Sequence, residues 1–243
     1  MIAIYIKELS NFFSSLIAYI VIGVFLIFMG LVMWVWPDTA VPYSNFADMS
    51  VLFYMAPTIF TFIIPAITMH SFSEERQAGT IELLMTKPVR NWQIVMGKYL
   101  ANLSLIIFAL IPTVIYYYSV YQLGLPKGNI DTGAVIGSYI GLILLASVFV
   151  SIGTFSSVLT SNQVVAFVIG TFLCFITHWG FEYTGTLPVF AGNLDVVIQK
   201  LGINYHYLSI SRGIIDSRDV IYFLSADMIF LLLTYYFLQK NKK

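Results

Sequence analysis

Six apolar segments, each about 20 residues long or longer, run through the sequence and limit what it can fold into. Each is long enough to cross a membrane as one helix, the form in which a backbone satisfies its own hydrogen bonds in lipid. Hydrophobic residues fill 59% of the 243 positions, above the roughly 45 to 50% of soluble domains. We predict an all-α membrane protein with a single domain over residues 1–243. The predicted spans are 15–36, 50–69, 92–122, 134–159, 164–183 and 219–239.

Short amphipathic helices are predicted outside the spans. Residues 1–15 place apolar side chains at helical spacing on one side and polar ones on the other, which predicts an N-terminal helix lying in the membrane interface. Between residues 184 and 218, apolar residues recur at helical spacing, which predicts one or two short helices resting on the membrane surface before the last span. The apolar residues of this second stretch include Leu194, Val197, Ile198 and Leu201.

The polar segment, residues 71–88 (SFSEERQAGTIELLMTKP), concentrates charge between the second and third spans. Charged residues make up only 10% of the chain, and a polar stretch of this kind is expected in water at one membrane face. Ser71 and Glu74 have the spacing of a capping box. Gly79 can end a first helix and Thr80 can begin a second. The second helix would carry an apolar ridge for a partner, formed by Ile81, Leu84 and Met85, with Glu82 off the ridge.

Two runs of the sequence resemble a known family. The run EERQAGTIELLMTKPVRNWQIVMGKYLA resembles the cytoplasmic coupling segment of ABC-2 type transporter permeases, whose pattern is EER..GT.E.LL..P.....I..GK. A second run, YHYLSISRGIIDSRDVIYFLS over residues 205–225, resembles the H....S.SRG..D.RD..YF.S run of the same permeases. Among them the chain is most similar to the gliding-motility-associated permease subunit.

The resemblance implies that the chain is a membrane subunit powered by a separate cytoplasmic ATPase. It also implies a second permease copy or a related membrane subunit, with ATP bound by the partner ATPase. The resemblance places the contact with the ATPase on the polar segment, both on its charged residues before Gly79 and on the predicted second helix after it. The coupling residues implied in this way are Glu74, Glu75, Arg76, Gly79, Thr80, Ile81, Glu82, Leu84 and Met85.

Several other function classes lack support in the sequence. No G-x-x-x-x-G-K-[ST] phosphate loop occurs, so the chain is expected to bind no nucleotide cofactor of its own. The three histidines, His70, His178 and His206, lack the spacing of metal ligands, and no nucleophile motif is present. The formal net charge of zero gives no sign of a nucleic-acid partner. We predict a non-catalytic subunit without catalytic, cofactor or metal sites.

The distribution of the 12 lysines and arginines predicts the orientation. With both termini and the polar segment on one side, that side holds eight of the 12 and the opposite side four. The eight are Lys7, Arg76, Lys87, Arg90, Lys98, Lys240, Lys242 and Lys243, and the four are Lys127, Lys200, Arg212 and Arg218. This excess places both termini in the cytoplasm of a bacterial cell, with the chain in the inner membrane.

Polar groups and small residues inside the spans leave alternatives open. Glu182 near the end of the fifth span is either a structural pair or headgroup-level group, or part of a polar path. Asp227 inside the sixth span either forms an interhelical hydrogen bond or faces a transport path. Gly137 and Gly141 form a G-x-x-x-G pair for helix packing or for a dimer contact. A salt-bridged start of the last span is predicted from Arg212, Asp216, Arg218 and Asp219.

The function predicted from these features is coupling of a separate ATPase to movement of an unidentified substrate, with a link to gliding motility drawn from the resemblance. One alternative within transport is a related ABC-2 permease for drug export or metalloenzyme maturation. An alternative of another class is a membrane scaffold that anchors a periplasmic or motility assembly without a translocation path. A change in the hydrolysis rate of a co-purified ATPase distinguishes transport from scaffolding.

Overall fold

The computed structural model describes residues 1–44, 46–80, 89–190 and 192–240, and these residues form a helical bundle without strands. Short 3-10 turns at Val41–Tyr43, Ile111–Thr113 and Pro188–Phe190 and one π-helical turn at Ile176–Gly180 interrupt the α-helices. The α-helices are α1 (Ile2–Ser14), α2 (Leu16–Trp34), α3 (Ser50–Thr68), α4 (His70–Gln77), α5 (Asn91–Leu110), α6 (Val114–Leu123), α7 (Thr132–Leu159), α8 (Gln163–Phe175), α9 (Phe181–Gly185), α10 (Asn193–Gln199), α11 (Ile203–Ile210) and α12 (Ser217–Lys240).

Six helical stretches are long and apolar enough to cross a membrane, which confirms the predicted all-α, six-span architecture. The second stretch includes both α3 and α4 and runs past the predicted end at Met69 as far as Gln77. Met69 itself has helical dihedral angles (φ −56°, ψ −30°), so the chain does not break between the two helices. The six stretches are Leu16–Trp34, Ser50–Gln77, Asn91–Leu123, Thr132–Leu159, Gln163–Gly185 and Ser217–Lys240.

Helix α7 is the centre of the bundle and packs against α3, α8 and α12. Its small residues allow close approach, as the G-x-x-x-G pair shows. A Cβ atom at Gly137 would lie 2.9 Å from the Cα atom of Gly213, and one at Gly141 would lie 3.1 Å from Cγ2 of Ile210. The space beside the two glycines is therefore occupied by the end of α11 and the residues after it, which confirms the packing alternative.

Helix α11 corrects the prediction for residues 184–218. Two short helices do form there, but α11 buries Ile203, Tyr207 and Ile210 against the bundle instead of resting on its surface. The Tyr207 hydroxyl donates a 2.5 Å hydrogen bond to the carbonyl oxygen of Phe53 in α3. Burial raises the pKa of this phenol far above its ordinary value, so the hydroxyl stays protonated as a donor. Helical periodicity shows an apolar face but not what covers it.

The predicted salt-bridged start of the last span is also wrong. Asp219 lies 2.7 Å from Nδ1 of His206, and the His206 ring stacks on Tyr222 with centroids 3.9 Å apart. A carboxyl oxygen of Asp216 accepts the backbone N–H of Arg218 at 2.9 Å. Within the described ranges no arginine of this cluster forms an ion pair. His206 on α11 is the partner of the Asp219 carboxylate because α11 packs beside α12.

Candidate functional site: a buried ion-pair cluster beside the polar segment

The described part of the polar segment, residues 71–80, is less exposed than its composition suggests. Ser71 and Ser73 are buried, and Ser71 lies inside α4, so the predicted capping box is wrong. The hydroxyl oxygen of Ser71 instead accepts a 2.8 Å hydrogen bond from Nδ2 of Asn102 on α5. The hydroxyl of Ser73 donates to the carbonyl of Met69 one turn earlier. The serines therefore attach α4 to the bundle.

Gly79 ends α4, as predicted. Its φ of +67° suits glycine, because a Cβ atom is unfavourable in the left-handed region. The N–H of Thr80 donates to the carbonyl of Glu75 at 2.9 Å, and the N–H of Gly79 donates to that of Arg76 at 3.2 Å. This pair of bonds is a Schellman motif. The second predicted helix, with Ile81, Glu82, Leu84, Met85 and Pro88, lies outside the described residues.

Lys98 on α5 is the most unusual charge in the structure, because its side chain is only 2% exposed although it lies in a candidate span. Its Nζ atom lies 3.0 Å from Oε1 of Glu8 on α1 and 3.0 Å from Oε1 of Glu75 on α4. The ring of Phe72 lies beneath it, with the centroid 5.2 Å from Nζ. A buried ammonium is costly unless it is paired and hydrogen-bonded, and here two carboxylates pair with it.

The surroundings make the cluster electrically balanced. Lys7 lies 3.5 Å from Glu75 and 3.7 Å from Glu8, so two lysines face two glutamates. The glutamate side chains are 14% and 16% exposed, whereas Lys7 is 54% exposed. We call Lys7, Glu8, Glu75 and Lys98 the Lys98 cluster. It joins three separate elements, α1, α4 and α5, through charge pairs at one end of the bundle.

Close backbone packing positions α1 on α5. A Cβ atom at Gly97 would lie 3.0 Å from Cγ2 of Ile4, so glycine lets the two helices approach beside Lys98. The Tyr5 hydroxyl is 3.0 Å from the Ser104 hydroxyl, about two turns beyond Gly97 on α5. Ile4 is buried, and Phe12 and Phe13 pack against the core, whereas Ile6 is 57% exposed, so the protein covers only part of the apolar face of α1. Placement of α1 in the membrane interface stays a prediction.

Two buried polar atoms beside the cluster lack a hydrogen-bond partner among the described residues. These are Oε2 of Glu75 and Nη2 of Arg76. Glu74 points the other way, with a side chain 62% exposed and 3.5 Å from Nδ1 of His70. Of the predicted coupling residues that the structure describes, Glu75 therefore belongs to the cluster and Glu74 to the surface.

Asp227 lies in the middle of the bundle, where α12 meets α5 and α7. Its Oδ2 atom accepts a 2.7 Å hydrogen bond from the Ser147 hydroxyl, and the Tyr99 hydroxyl is adjacent. The carboxyl group is 6% exposed, and its Oδ1 has no partner within the described ranges. The interhelical bond predicted as one alternative is present. Lys98 and Tyr99 are neighbours on α5, so α5 contacts both the Lys98 cluster and Asp227.

Glu182 lies at the other end of the bundle from the Lys98 cluster. Its Oε2 atom accepts a 2.6 Å hydrogen bond from Nδ2 of Asn204 on α11, so the carboxylate has a structural partner, and its place on a polar path stays a prediction. The structure thus places Glu75 near one end of the helix bundle, Asp227 in its middle and Glu182 near the other end.

Sequence reasoning missed Lys98 and Glu8 as site residues, although Gly97 and Lys98 stand in the run that carries the resemblance. Lys98 was counted only as a topology charge. The signal that could have found it is a lysine seven residues into an apolar helix, since an ionisable group there needs a partner. Its partner Glu8 is 90 positions away, and no local pattern points to it.

The fold and the cluster define a polytopic membrane protein whose N-terminal helix and polar segment are joined at one membrane face. The family model described as ABC-2 family transporter protein matches residues 2–240. The chain therefore belongs to the ABC-2 transporter family, and it is a membrane permease component of an ABC transporter. No curated protein matches the chain.

Proposed function

We propose that this permease takes up the movement of a separate cytoplasmic ATPase at its polar segment and passes it on through the Lys98 cluster. The observation that carries the proposal is that Nζ of Lys98 lies 3.0 Å from carboxylates of two different elements, α1 and α4. Helix α4 continues α3 through Met69, so displacement of the polar segment acts on the second span directly. Through Lys98 it also acts on the third span and on α1.

The cluster is suited to this transmission because it is buried. Separating Lys98 from either glutamate would leave a desolvated charge, which costs about 3 to 5 kcal/mol when one partner of a buried pair is removed. Moving α1, α4 and α5 together therefore costs little free energy, whereas moving them apart costs much more. A surface ion pair, which contributes about 0 to 1 kcal/mol, could not impose this.

The ATPase contact is proposed for the ridge Ile81, Leu84 and Met85, with Glu74 and Glu82 beside it. Exposed apolar groups on a rigid helix favour docking into a groove of a partner. Gly79 and Thr80 fix where the segment turns away from α4. ATP is bound by the partner, and this chain contributes no cofactor site.

The wider assembly is proposed from the resemblance and the charge distribution. The permease pairs with a second copy or a related membrane subunit in a bacterial inner membrane. Both termini and the polar segment face the cytoplasm, with eight of 12 cations on that side. The similarity of the two runs to gliding-motility permeases supports a role in gliding.

The decisive experiment compares variants of Lys98 in the complex with the cognate ATPase. Lys98→Met should lose stimulation of ATP hydrolysis and transport, and Lys98→Arg should keep part of both. The double variant Glu75→Gln/Lys98→Met removes one charge of each sign and should regain stability without regaining coupling. Lys200→Met, on a cation outside the cluster, is the matched control. Full coupling in the double variant would show that the cluster is only structural.

The ATPase contact is tested separately by Leu84→Asp and Glu82→Gln. Burial of a leucine contributes about 1.5 to 3 kcal/mol, and an aspartate in the same groove adds an unpaired charge. Leu84→Asp should release the ATPase on purification, while Glu82→Gln, off the ridge, should retain it. If the wild-type chain neither binds nor stimulates the ATPase, the scaffold alternative is preferred.

A further inference from the structure

A cavity of about 490 Å³ opens at the end of the bundle opposite the Lys98 cluster. It lies between the N-terminal ends of α3 and α7 on one side and α9 and α11 on the other. Its volume is in the range of about 300 to 1,000 Å³ typical of sites for small organic molecules. The residues on which its chemistry depends are Asp131, His178, Trp179, Glu182, Asn204 and Tyr207.

His178 is the buried polar group that points to a ligand. It stands in the π-helical turn Ile176–Gly180, a backbone form that is rare and frequently occurs at functional sites. The residue is 2% exposed, and its Nδ1 atom has no hydrogen-bond partner among the described residues. Buried polar groups are normally satisfied, and this nitrogen is shielded from the cavity as well, so only a turn of the imidazole ring would bring it to a ligand. A neutral imidazole nitrogen without a proton accepts a hydrogen bond from an N–H donor.

The charges around the cavity have one sign. Asp48, Asp131 and Glu182 line it, and no lysine or arginine is among its described lining residues. Asp131 also caps α7 by accepting the N–H of Ala134 at 3.0 Å, and Asp48 accepts the N–H of Ser50 at 2.9 Å. Glu182 uses one oxygen for Asn204, and its Oε1 makes no hydrogen bond within the described ranges. The cavity therefore offers acceptors and negative charge.

Aromatic side chains supply the remaining walls. Trp179 lines the cavity with its ring centroid 4.5 Å from that of His178, and Tyr54 and Tyr183 stand at the mouth, 72% and 62% exposed. Aromatic faces attract organic cations through the negative charge above and below the ring. Negative charge, acceptors and aromatic faces together favour a ligand with an ammonium group and an apolar body.

We propose that this cavity binds an amphipathic organic ammonium ion. Its N–H groups contact Glu182 and, once the His178 ring has turned toward the cavity, Nδ1 of His178, and its apolar body lies between Trp179 and the tyrosines at the mouth. Asn204 holds Glu182 in place from α11. Binding depends only on this chain, whether or not an ATPase drives it, so the site can be tested in the isolated permease.

The test uses two fluorescent probes with the same aromatic group and opposite charge, dansylcadaverine and dansylglycine. Binding is measured with the full chain in nanodiscs of zwitterionic lipid, with empty nanodiscs subtracted. Dansylcadaverine should bind saturably and dansylglycine should not. Glu182→Gln, which can keep the bond to Asn204, should weaken dansylcadaverine binding about tenfold. His178→Phe should weaken it as well. Asp195→Asn, an acid outside the cavity, should leave it unchanged.

A second variant covers the possibility that Glu182→Gln fails to fold. Asp131→Asn removes a charge but keeps the helix cap, because asparagine caps as well as aspartate. It should weaken dansylcadaverine binding about threefold. Equal binding of both probes, or unchanged dansylcadaverine binding in Glu182→Gln and Asp131→Asn, would overturn the proposal. Loss of ATPase coupling with intact probe binding would count against the proposed function alone.

Discussion

The two ends of the helix bundle hold their charged groups in opposite ways. At one end, Lys98 is 2% exposed and lies 3.0 Å from each of two glutamates, so the charges are closed against one another. At the other, Glu182 and Asp131 line an open cavity with no cation among its described walls. A closed, balanced cluster fixes elements to one another, whereas an open, unbalanced one is available to a ligand. We therefore expect helices to move together at the end that holds Lys98, and a ligand to bind at the end that holds Glu182.

The contrast between the two ends requires that they lie at opposite faces of the membrane. Single cysteines at Glu74→Cys and Asn129→Cys, in a Cys174→Ala background, should react with an impermeant maleimide from opposite faces. Both positions are exposed, and Cys174 is buried, so its removal changes only background labelling. Labelling is all or none and does not depend on stability. Reaction of both from one face would contradict the six-span arrangement.

The largest energetic difference between the ends should appear in stability. Lys98→Met leaves Glu8 and Glu75 with only the partly exposed Lys7, and should lower the free energy of unfolding by about 3 to 5 kcal/mol. Glu182→Gln should lower it by about 1 kcal/mol at most, because glutamine keeps an acceptor for Asn204 and loses only the charge of the bond. Denaturant unfolding in mild detergent measures both. Similar losses in the two variants would remove the distinction between a closed and an open site.

Two glycines test how tightly each end is packed. A Cβ atom at Gly137 would meet backbone, the Cα atom of Gly213 at 2.9 Å, whereas one at Gly97 would meet the side chain of Ile4 at 3.0 Å. Ile4 is β-branched and stiff, so relief at Gly97 needs a small shift of α1, whereas relief at Gly137 needs the backbone after α11 to move from α7. Gly137→Ala should cost about 1 to 3 kcal/mol and Gly97→Ala less, because its contact is slightly longer and with a side chain; the helix preference of alanine offsets part of the cost in both. Thermal unfolding of the two variants compares them, and an equal cost would mean that α1 is held as rigidly as α11.

The sequence predicts the spans well because hydropathy is a local property. The six apolar segments, the stop at Gly79 and the spacing of Gly137 and Gly141 are all patterns of residues near one another, although the segment that packs on the two glycines is distant in sequence. Charge pairing is not local. Lys98 meets Glu8 from 90 positions away, and His206 meets Asp219 only because α11 packs beside α12. Predicting these pairs requires knowing which helices are neighbours.

The same reasoning explains the errors at Ser71 and α11. The S-x-x-E spacing predicts a cap only where a helix begins, and α4 has no beginning of its own because Met69 keeps helical angles. The apolar residues on which the surface prediction for 184–218 rests belong to the region of α10, where Leu194 and Val197 are exposed, whereas in α11 the Tyr207 hydroxyl bonds to Phe53 inside the protein. A tyrosine among buried isoleucines was the available sign that the face meets protein.

Substitutions of Asp227, which lies between the two ends, should have the smallest effect on stability, and they distinguish two roles for its carboxylate. Its Oδ2 accepts from Ser147, so Asp227→Asn retains an acceptor and should be nearly neutral, while Asp227→Leu should lose roughly 1 kcal/mol, the scale of interhelical hydrogen bonds in membranes. Ser147→Ala should lose a similar amount, and the double variant Ser147→Ala/Asp227→Leu should lose little more, because the two side chains form one bond. Transport by the assembled complex, measured on the same variants, separates this role from a place on a path. If Asp227→Leu is stable yet stops transport, the carboxylate serves the path between the ends, and the comparison gains a third site.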